Sequence, residues 1–404
     1  PVAYNEVIDD VLSDNRTPID VKPVIYLQVE EGKSPALIEN YGEKWYDNNL
    51  KRIIIDELVA QIGEFSAADL LSNQVVIDSI NRHTKAYIDN YIAKLSKNKP
   101  FPVKCLSVSL GKAKPNEAQL SDKFEELYNG AVVNTCEKRL VLHHLTRGQL
   151  GNDVVADGTN KRKFYEEQQQ RIADFANKVH SGEITNEKGE KFTSVVQIGI
   201  GGSDLGPRAM YIALENWAKK NGKFLMDAHF ISNVDPDDAS AVLADVDVAH
   251  AIFILVSKSG TTLETLTNQS FVMDALKKDG LDPAKHMIAV TSETSPLADS
   301  PDYLAAFYMD DYIGGRYSST SAVGGAVLSL AFGPEVFADF LKGAAEEDKV
   351  ATEKDPLKNP DMLDALIGVY ERNVLGYPST AILPYSQALS RFPAHLQQLD
   401  MESN

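Results

Sequence analysis

An α/β fold built around a parallel sheet is predicted by three features of the chain. Between residues 194 and 291, strand-like runs alternate with stretches of helical length: strands at 194–200, 224–231, 251–256 and 287–291, helices at 207–220, 237–244 and 263–278. The run Ala251–Val256, AIFILV, is apolar without a break and rich in β-branched side chains, as expected for a strand covered on both faces. The turns between these pieces are short, so each crossover must return right-handedly to lay the next strand beside its predecessors. In such a sheet ligands bind beyond the carboxyl ends of the strands.

Taken in order, residues 1–125 carry the weakest signals. A strand is expected at 24–29, helices at 50–65 and 76–95, and another strand at 103–110, none with a chemical motif. Residues 116–126 are polar enough for a connector, followed by a helical piece through Leu145. A long polar helix at 163–178 leads into the alternating region. After Gly333 the pattern gives helices at 334–349 and 361–375, a strand at 379–383 and a helix at 386–398, the opening of a second α/β unit unfinished at Asn404. Sequence repeats and low-complexity tracts are lacking.

At 404 residues two domains are expected. The chain has 40 basic and 58 acidic residues, a net charge of −18, which argues against nucleic acid or an anionic membrane as partner. Cys105 and Cys136 form no CxxC pair, so neither a zinc site nor a disulfide framework is expected, and a reducing compartment follows. The first residues lack a signal-peptide pattern, and no apolar run approaches membrane-spanning length; a cytoplasmic location is the expectation.

Four stretches could carry chemistry. Ser257-Lys258-Ser259-Gly260-Thr261-Thr262 places four hydroxyls, an ammonium and a glycine between a strand and a helix. Such a turn can cradle a phosphate, because free N–H groups and the positive end of the helix dipole meet there; a plain Ser/Thr cap is the alternative. Gly199-Ile200-Gly201-Gly202-Ser203-Asp204-Leu205-Gly206-Pro207 ends the first strand of the alternation. Its spacing fails GxGxxG, since the third glycine would fall on Asp204, so a small-phosphate loop with Ser203 as donor is favoured over a dinucleotide site. In Gly314-Gly315-Arg316 the glycines let the backbone bend and bring a guanidinium to a developing oxyanion; a surface arginine paired to Asp310 or Asp311 is the alternative. Gln398 and Glu402, four apart, share a helix face, and Glu402 is either a general base or a solvated helix-end carboxylate. The eight histidines form no ligand set, and no GxSxG elbow exists.

Together these segments resemble the glucose-6-phosphate isomerase (phosphoglucose isomerase) family. The resemblance rests on IGIGGSDLGP at 198–207, SKSGTT at 257–262, DYIGGRYSSTSAVG at 311–324 and QxxDMESN ending at Asn404, in the family's order, with NGAVVNTCEKRLVLHHL at 129–145 fitting weakly. It covers about residues 125–404; residues 1–124 show no firm match. It implies two α-β-α sandwich subdomains of the sugar-isomerase (SIS) type with mainly parallel sheets, the second incomplete. Residues 1–164 would be an N-terminal helical region and the first part of a large domain, 165–332 the small domain and 333–404 the continuation of the large one.

The implied activity is interconversion of glucose 6-phosphate and fructose 6-phosphate through a cis-enediolate, in glycolysis and gluconeogenesis, without cofactor or metal. Glu402 would shuttle the proton and Arg316 would stabilise the enediolate. Gly202, Ser203, Ser257, Lys258, Ser259, Thr262, Gly315 and Gln398 would hold the substrate. The family is a homodimer with a shared site, whose ring-opening histidine and a lysine follow the glutamate. The sequence stops before both, so the 404 residues alone are expected to be inactive and a continuation to exist elsewhere. The rival readings are a non-catalytic sugar-phosphate-binding regulatory protein, an isomerase for another sugar phosphate, and a structural or cytokine-like use of the fold.

Overall fold

The run Ala251–Val256 forms the middle strand of a five-stranded parallel sheet, and none of its six residues is more than 1 % exposed. Burying each of the five larger side chains contributes about 1.5–3 kcal/mol, which is why an uninterrupted apolar run is stable there. The computed structural model describes residues 1–404 except 15–17, 112, 116, 135–136 and 403–404. Its contacts divide the chain into two units, one of Pro1–Asp122 with Lys354–Thr380 and one of Lys123–Glu353 with Ala381–Asn404.

In the first unit, strands β1 (Val2–Asn5), β2 (Ile8–Leu12), β3 (Pro18–Val21) and β4 (Val24–Val29) precede helices α1 (Ser34–Tyr41), α2 (Arg52–Ile62), α3 (Ala67–Ser72) and α4 (Gln74–Leu95). Strands β5 (Val103–Ser109) and β6 (Lys114–Pro115) follow, then α5 (Glu117–Tyr128), which runs into the second unit. Two antiparallel sheets result, ordered β1-β4-β5 and β2-β3-β6. Their inward faces pack on Leu50, Ile54, Leu58 and Ile62, at the four-residue spacing of one helical stripe. The strand at 24–29 and the three other elements expected before residue 111 are present; strands β1 to β3 add to the helices foreseen there.

In the second unit, a hairpin of β7 (Val155–Ala156) and β8 (Thr159–Asn160) leads into α6 (Lys161–Ser181), capped by the Asn160 side chain, which accepts from the Lys163 amide. The alternation follows as β9 (Ser194–Ile198), α7 (Leu205–Asn221), β10 (Asp227–Ile231), α8 (Pro236–Asp245), the middle strand β11 (Ala251–Val256), α9 (Leu263–Lys278), β12 (Met287–Ser292) and β13 (Ala305–Met309). The sheet order is β10-β9-β11-β12-β13, with every pair parallel. The order in which successive strands are added therefore reverses between β9 and β11, and their carboxyl ends open a crevice there.

Helix α10 (Ala322–Phe332) is buried at all eleven residues and packs with α6 and the sheet. A helix apolar all round carries no 3.6-residue stripe, so periodicity gives no signal for it. Helices α11 (Pro334–Val350), α12 (Pro360–Asn373) and α13 (Phe392–Met401) complete the chain; α12 lies in the stretch assigned to the first unit.

Four expectations are corrected. Residues expected as a connector at 116–126 lie largely in α5, and the helical piece expected through Leu145 is reduced to a 3-10 turn at His143–Thr146, with no helix among the described residues of 129–142. The strand expected at 379–383 does not form, and the helix at 386–398 is a 3-10 turn at Gln387–Leu389 followed by α13. Pro384 and Pro393 restrict the backbone on either side of that turn, which breaks the continuous helix. Cys105 is a buried free thiol, and Cys136 lies outside the described residues.

Candidate active site

The carboxyl ends of β9 and β11 are neighbours, with Ile198 opposite Leu255, so the two loops expected to bind an anion emerge side by side. Between them lies a cavity of about 550 Å³ lined by Ser203, Ser257, Lys258, Ser259, Thr262 and Arg139, among others. The Ser257 turn is held from β12: the Ser257 amide donates to the Val290 carbonyl at 3.1 Å, and the Thr291 hydroxyl donates to the Ser257 carbonyl at 2.7 Å. Ser257 Oγ donates to Thr262 Oγ1 at 3.3 Å. Thr262 stands at the N-cap of α9 without a side-chain cap bond, so its hydroxyl is not consumed as a plain Ser/Thr cap would be. What faces the cavity is a set of hydroxyl donors, two cations and the positive end of a sixteen-residue helix.

The glycines after β9 are required by the neighbours they meet. Gly201 has φ of +58° and its α-carbon faces the Gln398 amide, where a Cβ would lie 2.9 Å from Nε2. At Gly202 a Cβ would overlap the Gly315 carbonyl carbon and the Arg316 amide nitrogen. The Ser203 loop and the Arg316 turn are thus pressed backbone to backbone.

Arg316 reaches the carboxylate of Glu402, Nη2 to Oε1 at 3.2 Å, and Gln398 Nε2 donates to Glu402 Oε2 at 2.9 Å. The guanidinium side chain is 23 % exposed and the carboxylate 58 %, so the carboxylate stands at the edge of the site and the guanidinium within it. Two groups expected from distant parts of the sequence therefore meet.

The segment before Arg316 is anchored on both sides. Asp310 is turned inward, where Tyr165 donates to both its oxygens at 2.9 and 3.0 Å and Lys161 Nζ lies 3.3 Å away. Burial pushes its carboxyl up from the usual range, against the pull of Lys161 and Tyr165. Asp311 points the other way, 3.6 Å from both Arg139 and Lys258. The pairing of Arg316 with either aspartate, weighed from the sequence, is replaced by these partners and by Glu402.

His143, which sequence reasoning passed over, fixes the turn itself. Its Nε2 accepts from the Gly314 amide at 3.0 Å, and its ring stands edge-on to Tyr317 with centroids 5.3 Å apart. Lys258 Nζ donates to the Ile313 carbonyl at 3.2 Å, so the Ser257 turn also touches the arginine turn. Burial, with smaller contributions from Arg147, His144 and Lys258, lowers the His143 pKa from 6.5 to about 3, which keeps the imidazole neutral and Nε2 free to accept. No spacing rule marks this residue, because its partner lies 171 positions away.

A pH dependence follows. His143 at about 3 and His144, lowered chiefly by burial to about 4, both lie below their unfolded value of 6.5, so the unfolded chain binds the extra protons. Their contribution to stability is complete above about pH 6.5 and is lost as pH falls toward 3–4. Urea unfolding between pH 4 and 7 is expected to show stability rising with pH, with a shallower slope in His143→Gln, whose amide oxygen keeps an acceptor. An identical slope in that variant would remove His143 as a source.

Among the described residues, no group of three His, Cys, Asp or Glu side chains is placed to hold a metal ion, and no helix is long and apolar enough to cross a membrane.

Comparison with known proteins places these features in a family. The phosphoglucose isomerase family model matches residues 108–404, and a model described as the SPFH domain / Band 7 family matches residues 2–129. Glucose-6-phosphate isomerase of Treponema denticola is 60 % identical over 322 residues, covering 78 % of this chain and 61 % of that protein. The enzyme of Desulfotalea psychrophila is 50 % identical over 294 residues, 72 % of this chain and 54 % of its own. A solved glucose-6-phosphate isomerase from Chlamydia trachomatis superposes with a TM-score of 0.64 at 41 % identity, over 71 % of this chain and 54 % of that one. The chain thus spans roughly three-fifths of the length of the Treponema denticola protein and little more than half of the other two. With its family match extending over residues 108–404, the chain belongs to the phosphoglucose isomerase family.

Proposed function

We propose that this chain supplies an aldose–ketose isomerase site for glucose 6-phosphate and fructose 6-phosphate, working through a cis-enediolate in glycolysis and gluconeogenesis. The observation that carries the reading is the 3.2 Å approach of Arg316 to Glu402 beside a hydroxyl-lined cavity at the sheet's switch point. Ser203, Ser257, Ser259 and Thr262 hold the phosphate, with Lys258 and the close-packed Gly202 and Gly315 shaping the seat. Anchored by that remote dianion, the open-chain sugar lies against Glu402, which moves the proton between C1 and C2 while Gln398 orients the carboxylate. Arg316 meets the enediolate charge without reorganising, because Gly314 is already fixed by His143. A purely regulatory sugar-phosphate binder would have no use for this base and cation pair, so the catalytic reading is preferred.

The active assembly is a cytoplasmic homodimer, by analogy with the family, and no nucleic acid or membrane takes part. For the domain division, 165–332 forms the small domain and 333–404 continues the large one. The SPFH / Band 7 match favours, for residues 2–129, a separate module over an outer flank of the large domain.

The cradle is tested with Ser257→Ala combined with Thr262→Ala. Loss of two hydroxyl contacts to a dianion is expected to raise the KM of fructose 6-phosphate for solvent-deuterium exchange at C1 by about 10- to 100-fold, with a smaller effect on the maximal exchange rate. An unchanged KM would reject the assignment.

A further inference from the structure

Asp311 is an anomaly in this cavity. It is an exposed carboxylate in the wall of a site whose other polar groups suit an anion, and it lies 3.6 Å from Arg139 Nη1 and 3.6 Å from Lys258 Nζ. These cations come from different parts of the chain, Lys258 from the turn after β11 and Arg139 from the irregular segment before His143. Its neighbour Asp310 is committed to Tyr165 and Lys161 in the interior, so that residue explains the anchoring of the turn and leaves Asp311 without a structural task of that kind. Nor does Asp311 pair with the guanidinium that faces Glu402.

We infer that Asp311 sets the affinity of the phosphate seat by competing with the incoming phosphate for Arg139 and Lys258. The inference rests on the reading of this cavity as a phosphate site. A dianion entering beside the Ser257 turn gains two cations only to the extent that Asp311 releases them, and it meets the carboxylate's own negative charge at close range. The penalty falls equally on inorganic phosphate and on a sugar phosphate. Inorganic phosphate has no contacts beyond the seat and is left weakly bound, whereas a sugar phosphate adds those its carbon chain makes toward Gln398 and Glu402. The same penalty speeds departure of the product. Arg139, absent from the residues the sequence singled out, becomes an affinity-determining residue of the seat.

The test is calorimetric titration of the chain with inorganic phosphate at low ionic strength. Asp311→Asn is expected to tighten phosphate binding by about five- to tenfold, the size of removing one screened like charge at this range. Asp311→Glu should return the affinity to within about twofold of the parent, because the charge is restored. Arg139→Gln should weaken binding, and the gain from Asp311→Asn should shrink in the Arg139→Gln background, since the competition has lost one of its cations. Unchanged or weaker phosphate binding in a folded Asp311→Asn variant overturns the inference while leaving the phosphate seat intact. If Asp311→Asn does not fold, Arg139→Gln decides, and an unaltered phosphate affinity there overturns it. Failure of the parent chain to bind phosphate at all would instead overturn the seat, and this inference with it.

Discussion

Glu402→Gln is expected to lower the rate of solvent-deuterium uptake at C1 of fructose 6-phosphate by about 10²- to 10⁴-fold, the range by which a positioned general base contributes. The exchange isolates the step assigned to the carboxylate, because part of the ketose is already open in solution and no ring-opening acid is needed for it. The substitution keeps the shape and leaves an oxygen for Arg316, whose Nη2 lies 3.2 Å from Oε1, so what disappears is the basic lone pair and the charge. Affinity for inorganic phosphate should stay within about twofold, since the cavity at Ser257 is untouched. Exchange at the parent rate would end the role of Glu402 as base, whatever the phosphate titration showed.

The second large effect is expected from Gly202→Ala, a change of one methyl group. The new Cβ would overlap backbone atoms of Gly315 and Arg316, which cannot rotate aside as a side chain could. The Ser203 loop and the arginine turn must separate, and displacing a positioned cation by about 1 Å costs on the order of 10²-fold in rate. Overpacking of this kind also destabilises, by about 1–3 kcal/mol, so the variant should keep its circular dichroism with a lowered melting temperature. The expected pattern is a collapse of deuterium exchange in a folded protein. A folded Gly202→Ala with exchange within about threefold of the parent would show that the close approach of the two backbones has no catalytic consequence.

These two variants also show where sequence reading succeeds and where it stops. Ala251–Val256 and Leu263–Lys278 were foreseen to the residue, because an unbroken apolar run and a marked helix start are local properties. The strand at 305–309 and the fully buried α10 were not: AAFYM is short and only partly buried, and α10 has no polar face to set a period. The strand expected at 379–383 failed in the opposite way, since its composition suits a sheet but no partner strand reaches it among the described residues. In the first 110 residues the strands lie on sheets with one face open, and short alternations there are easily taken for loop.

By itself, the sequence determined the chemistry of this protein: which loops carry hydroxyls, which turn carries the guanidinium, which helix end carries the carboxylate, and that an alternating strand–helix pattern would place the loops at one edge of a sheet. The tertiary structure decided the partnerships. It turned Asp310 inward and Asp311 outward, gave Gly314 its bond to a neutral His143, and set Gly202 against Gly315. Local propensity is set by a few neighbouring residues and can be read from them, whereas a charge or a lone pair takes its role from groups that the fold brings from more than a hundred positions away.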